Sequence, residues 1–290
     1  MISPRMQQTI AARAVVAGFG YWSGRDVRLE FRPAAPGTGI TFVRSDLGPA
    51  ARVQARVELR VEVPRRTNLR QGRVEVDMVE HVLAALAGLG IDNCEVWTNQ
   101  AEMPGCDGSS AAFVDALVRA GIVSQGIEAP RVAVTETVRV SEGESWIEAR
   151  PSAKNQLSIE FQLDYPQASV IGRQVARVVV TPERFRSELA PCRTFLLQTE
   201  ADQLRRQGLG LRVTNRDLLV FDERGPIDNR VRFPNECARH KALDVLGDLA
   251  LAGCRLVGEF TAYRSGHRLH AELTRQLVER FATTAWRASA

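Results

Sequence analysis

Glu80 and His81 stand side by side at the start of an alanine- and leucine-rich stretch, and far downstream His240 stands four residues before Asp244. On a helix, residues four apart share a face, so that imidazole and carboxylate can reach one point. Asp248 continues the same stripe by a further turn. A row of His, Asp and Asp on a helix otherwise rich in Leu, Ala and Val is costly to bury unless something compensates it, and a divalent cation would do so. Two neutral imidazoles and one carboxylate make a hydrolytic zinc site with its fourth position open, and Glu80 would then lie near the bound water. His267 follows Ser265-Gly266, where a loop can hold it over a cleft; His270, three residues on, is expected to face solvent or to help cap the last helix. Spacing alone favours simpler readings. A His-x-x-x-Asp unit fits a structural histidine with a capping or salt-bridged aspartate, Glu80-His81 fits an exposed first-turn pair favoured by the helix dipole, and Thr194 fits a plain strand residue.

The elements that must position these residues follow from hydrophobic periodicity. Residues 27–33 and 40–46 alternate apolar and polar around the turn-rich AAPGTG, a hairpin pattern, and 53–63 also alternates. A helix is expected over 79–90, stopped by glycine, then a strand at 94–98 and a helix over 108–121 with Ser109 or Ser110 as N-cap. SQGIEAP (124–130) reads as the linker between domains at 1–125 and 126–290. Beyond it come strands at 132–140, 145–151, 157–165 and 176–182, helices at 200–208 and 235–253, a strand at 255–263 and a closing helix at 267–280. HVLAALAGLGIDNCEV and HKALDVLGDLALAGCRLVGEF share one histidine–helix–glycine–strand order, a weak internal duplication. It suggests an α+β fold of two similar domains, each helix covering one face of its own sheet.

Composition narrows the partners. The chain has 290 residues, 44% hydrophobic and 25% charged, an ordinary globular make-up. No apolar run is long enough to span a membrane, and the N-terminus lacks the apolar core of a signal peptide, so a cytoplasmic protein is expected. Cys94, Cys106, Cys192, Cys237 and Cys254 are scattered without a CxxC spacing and read as buried, reduced thiols. The formal charge of +4 is spread evenly as arginine, with no dense basic block or interleaved aromatics, which argues against nucleic-acid binding. Against that arginine habit Lys241 is conspicuous, since the only other lysine is Lys154.

In collinear order, LEFRPAAPGTGITFVRSDL, VEHVLAALAGLGIDN, MPGCDGSSAAFV, CRTF, VRFPNE, RHKALDVLGDL and FTAYRSGH closely resemble the UDP-3-O-acyl-N-acetylglucosamine deacetylase family. The resemblance covers most of the chain and is weakest at about 124–190 and 209–231. It implies zinc, with ferrous iron as the alternative, held by His81, His240 and Asp244. It further implies Glu80 as general base, His267 as general acid or charge stabiliser oriented by Asp248, Thr194 as the oxyanion hydroxyl, and Lys241 and Phe195 in the substrate site. The implied fold is two α+β domains, each a mainly antiparallel sheet with helices on one face, the helix layers packed together between the sheets. The implied reaction removes the acetyl group of a UDP-linked acylated amino sugar, an early step of lipid A biosynthesis, by a monomer; a related deacetylase of another N-acylated amino sugar and a non-catalytic nucleotide-sugar binder are the rivals. The chain departs from the family pattern at Trp22, where a histidine is usual, at Asp77-Met78, where Ser-Thr is usual, at Leu196 and Leu197, and at 212–217, part of the LRVTNRD that replaces a glycine-rich stretch.

Overall fold

Two sheets with one strand plan organise the chain in the computed structural model, which describes residues 5–165 and 170–281. The first sheet has the spatial order Ala14–Phe19, Asp26–Pro33, Cys94–Thr98, Ile40–Arg44, Arg52–Gln54. The second has the order Val138–Glu142, Ser145–Arg150, Arg255–Tyr263, Leu157–Asp164, Arg173–Val179, with Arg131–Ala133 added beside Arg255–Tyr263. In both, the strand last in sequence inserts at the centre, antiparallel to the second strand and parallel to the third. Period-two burial drives these strands inward on one face, as at Val27, Leu29 and Phe31.

The helices are α1 (Glu80–Leu89), α2 (Ala111–Ala120), the single turn α3 (Pro182–Arg184), α4 (Gln198–Arg206), α5 (Glu236–Leu249) and α6 (His267–Phe281). α1 packs on α5, α5 lies on the strands Leu157–Asp164 and Arg173–Val179, and α2 and α6 pack against the strands of their own sheets. Helices covered on both sides lose the polar face of a surface helix. Val82, Leu83 and Leu86 of α1 are accordingly buried, each such side chain contributing roughly 1.5–3 kcal/mol relative to exposure. α1 ends at Gly90, whose φ of 74° lets its N–H return to the carbonyls of Leu86 and Ala87. Gly247 of α5 is needed for a different reason: a Cβ there would stand 2.1 Å from the Glu80 carbonyl oxygen, so the two backbones touch because no side chain intervenes.

Each sheet carries an insertion between its fourth strand and its first long helix. In the first half it is a small sheet of Arg60–Val61, Asn68–Gln71 and Val74–Val76. In the second it is α3, the parallel pair Phe195–Leu197 and Leu219–Phe221, and α4.

Several expectations are corrected. The strands on either side of AAPGTG do not form a hairpin, because Cys94–Thr98 pairs between them. The 53–63 stretch is not one strand: after Arg52–Gln54 it turns through Val57–Leu59 into the small sheet. Of the 124–130 segment, residues 124–128 are extended, within the strand Ile122–Glu128 antiparallel to Met6–Ile10. The 132–140 strand is broken into Arg131–Ala133 and the start of Val138–Glu142. Cys106 and Cys254 are half-buried rather than buried. No helix among the described residues is long and apolar enough to cross a membrane.

Candidate active site

The first turn of α1 meets the middle of α5 at a cleft of about 500 Å³. Met78 turns the chain into α1 with a φ of 59°, a left-handed conformation uncommon outside glycine, and its N–H donates to Asn68 Oδ1 at 3.3 Å. Glu80 and His81 follow as the first residues of the helix, both buried rather than exposed. Ser110 Oγ donates to the His81 carbonyl at 2.8 Å, fixing that turn against α2.

His81, His240 and Asp244 present ligand atoms within 4.8 Å of one another. Each histidine Nε2 stands 3.5 Å from Asp244 Oδ1, and ligands at ~2.0–2.1 Å from a tetrahedral ion lie about 3.3 Å apart. His240 Nδ1 donates to the Cys192 carbonyl at 3.1 Å, which leaves the Nε2 lone pair facing the cluster. Burial pushes His240 down to about 3, so the ring is neutral. Asp244 is ionised: burial opposes this, but the positive charge beside it, the Lys241 ammonium, holds its carboxyl well below the usual range. Its Oδ2 accepts from Lys241 Nζ at 2.7 Å. Its Oδ1 is buried and has no hydrogen-bond partner among the described residues. The His240 lone pair faces an orphaned, buried carboxylate oxygen with His81 Nε2 beside it, an arrangement that is unfavourable on its own and that a divalent cation satisfies. The residues fit a metal ion.

A second group, Asp248, His267 and His270, also gathers its ligand atoms within 4.8 Å. This one is internally satisfied. Both histidines donate from Nδ1 to Asp248 Oδ2 at 2.7 Å, and Thr67 Oγ1 donates to Asp248 Oδ1 at 2.5 Å. His270 is wholly buried instead of facing solvent or capping a helix, because Ser265 Oγ and Asp248 occupy its two nitrogens. Burial pushes His267 down, but the carboxylate of Asp248 outweighs it and holds the imidazole up to about 9. Burial likewise raises the Glu80 carboxyl above its ordinary value, against the opposing pull of His267 and His81.

The remaining predicted residues border the same cleft. Thr194 Oγ1 donates to the Gly108 carbonyl at 3.1 Å and lies 3.3 Å from His240 Nε2. The Phe195 ring sits edge-on to His240 at 6.2 Å and against Tyr165 at 5.9 Å. Tyr21, Trp22, Met78, Leu196, Leu218 and Val220 build an apolar wall, and the Arg66 guanidinium lies 4.4 Å over the Trp22 ring. Leu197 instead packs against the main core. Sequence reasoning overlooked Thr67, which reads locally as the entry to a strand.

Fold and cluster together define an α+β protein with a buried two-histidine, one-carboxylate set able to hold a metal ion beside a second carboxylate and an imidazolium. A profile of the UDP-3-O-acyl N-acetylglycosamine deacetylase family, LpxC, matches residues 7–279. Proteins named UDP-3-O-acyl-N-acetylglucosamine deacetylase from Brucella ovis, Brucella canis and Brucella abortus are each 37% identical to the chain over 274 residues, 94% of this chain and 95% of the relative. The chain belongs to this deacetylase family.

Proposed function

We propose that the protein is a metal-dependent amidohydrolase that converts UDP-3-O-acyl-N-acetylglucosamine and water to the free amine and acetate, in the cytoplasm, as an early step of lipid A biosynthesis. The observation that carries the proposal is the orphaned Asp244 Oδ1 facing His81 and His240 beside Glu80, in a chain of this family. His81, His240 and Asp244 would hold zinc, or ferrous iron, which would supply Lewis acidity and acidify a water toward ~7.

Glu80, its carboxyl raised by burial, takes the proton of the attacking water. The Thr194 hydroxyl turns its one proton from the Gly108 carbonyl to the oxygen on which charge develops. His267, protonated at neutral pH, gives its proton to the departing amine as the C–N bond breaks. Asp248 on Nδ1 leaves the His267 Nε2 proton as the one delivered. Lys241 offers a compact positive charge to a substrate oxygen, a phosphate oxygen included, and Phe195 and the apolar wall suit the acyl chain. The reading takes residues 1–125 and 126–290 as two domains meeting at the site within a monomer.

The test is acetate release by purified, metal-loaded protein from the UDP-linked substrate and from other N-acylated amino sugars. Release from the first supports the proposal. Release from another sugar alone moves the substrate elsewhere, and no release from any, with metal bound, overturns the amidohydrolase reading.

A further inference from the structure

Thr67 joins the two proton-handling arms of the site. It is fully buried and lies just before the strand Asn68–Gln71. Its N–H donates to Glu80 Oε2 at 3.0 Å, and its hydroxyl donates to Asp248 Oδ1 at 2.5 Å. Its carbonyl accepts the Val79 N–H at 3.1 Å, at the entrance to α1. One residue thus holds the first turn of α1, the carboxylate that this turn projects, and a carboxylate on α5.

The bond to Asp248 matters through geometry. With Oδ1 held by the hydroxyl, the carboxylate cannot rotate about its own axis, and Oδ2 stays aimed at His267 Nδ1. His270 secures the same oxygen from the other side. Because a carboxylate only accepts, His270 carries its proton on Nδ1, and its Nε2 accepts the Ser265 hydroxyl at 2.8 Å. Every polar atom of Asp248 is occupied, and buried networks satisfied in this way are rigid.

We infer that Thr67 is a positioning residue that sets Glu80 and the Asp248–His267 pair in fixed register across the α1–α5 junction. The inference rests on the proposed roles of Glu80 and His267. A residue that merely filled space would affect stability and leave turnover per folded molecule unchanged.

The test compares Thr67→Val, which keeps the shape and the backbone N–H but deletes the hydroxyl, with Thr67→Ser, which restores it; Thr67→Ala is the second deletion should valine not fold. On the metal-loaded full chain, kcat and KM are measured with the UDP-linked substrate, and the downfield Nδ1–H resonance of His267 is followed by NMR without turnover. Thr67→Val is expected to lower kcat about 10- to 100-fold at a KM within about twofold and to shift the resonance, and serine to restore both. Added to Asp248→Asn, it should cost less than about a further twofold, because both act through one carboxylate. A deletion variant with parental kcat and an unmoved resonance overturns the inference, as do effects of Thr67→Val and Asp248→Asn that simply multiply. Should the parent release no acetate from that substrate, the functional proposal fails on its own and the resonance still decides Thr67: a shift reversed by serine supports it, and none overturns it.

Discussion

The two halves of the molecule share a frame and divide the chemistry unequally. Each runs four strands, an insertion, a helix ended by a left-handed glycine or a short turn into one, a central strand and a second helix. Yet α1 brings Glu80 and His81 from its first turn, whereas α5 brings His240, Asp244 and Asp248 along about two turns of one face. The repeated frame therefore does not itself encode the site. What creates it is the crossing of two helices at different heights, so that the start of one reaches the middle of the other. Gly247 permits that crossing and thereby controls where the Glu80 backbone lies.

The comparison breaks most sharply at the cluster. His81→Ala from one half and Asp244→Ala from the other should both lose bound metal and nearly all activity, since both are expected to hold the same ion. Elemental analysis that finds full metal in either variant would separate the halves. Glu80→Gln should retain metal while kcat falls roughly 10²- to 10⁴-fold, the usual reach of general base catalysis; near-parental turnover would remove Glu80 from the chemistry. Gly247→Ala must push α5 from α1, and by analogy with overpacked cores should destabilise by about 1–3 kcal/mol, read as a lower midpoint in denaturant; an unchanged midpoint would mean that the crossing is loose.

The smallest effect concerns pH. His267 is held up to about 9, above the 6.5 of a free imidazole. Its pairing with Asp248 therefore stabilises the fold fully below about 6.5, and that contribution is lost as pH rises through about 9. The rate should show an alkaline limb in the same window if the protonated ring is required. Asp248→Asn should flatten the stability change, and a parental slope in that variant would assign it to other groups.

The α1 and α5 helices were legible because hydrophobic period is a local property of a chain, whereas spacing alone favoured a structural reading of His81, His240 and Asp244, and only the resemblance pointed to a ligand set. The central strands were not legible. Nothing around residues 33–40 signals that residues 94–98 will insert between two strands adjacent in sequence, so a turn-rich segment read as a hairpin. The 124–130 segment looked like a linker because its polar alternation carries no sign of the partner strand at residues 6–10. His270 was misjudged for a related reason. Its helical offset from His267 was correct, but its burial depends on Asp248, contributed by α5 twenty-two residues earlier. Glu80, His81, Thr194, Phe195, His240, Lys241, Asp244 and His267, far apart in the chain, all border one cleft.

Both insertions leave the frame at equivalent points and face each other over the cleft, where Arg65 on one pairs with Glu200 on the other at 3.0 Å. Neither supplies His81, His240 or Asp244. The walls are thus largely modules hung on a shared frame, and exchanging residues 57–76 with Thr67 retained, or 195–221, for those of a relative is a way to transplant selectivity while leaving His81, His240 and Asp244 in place.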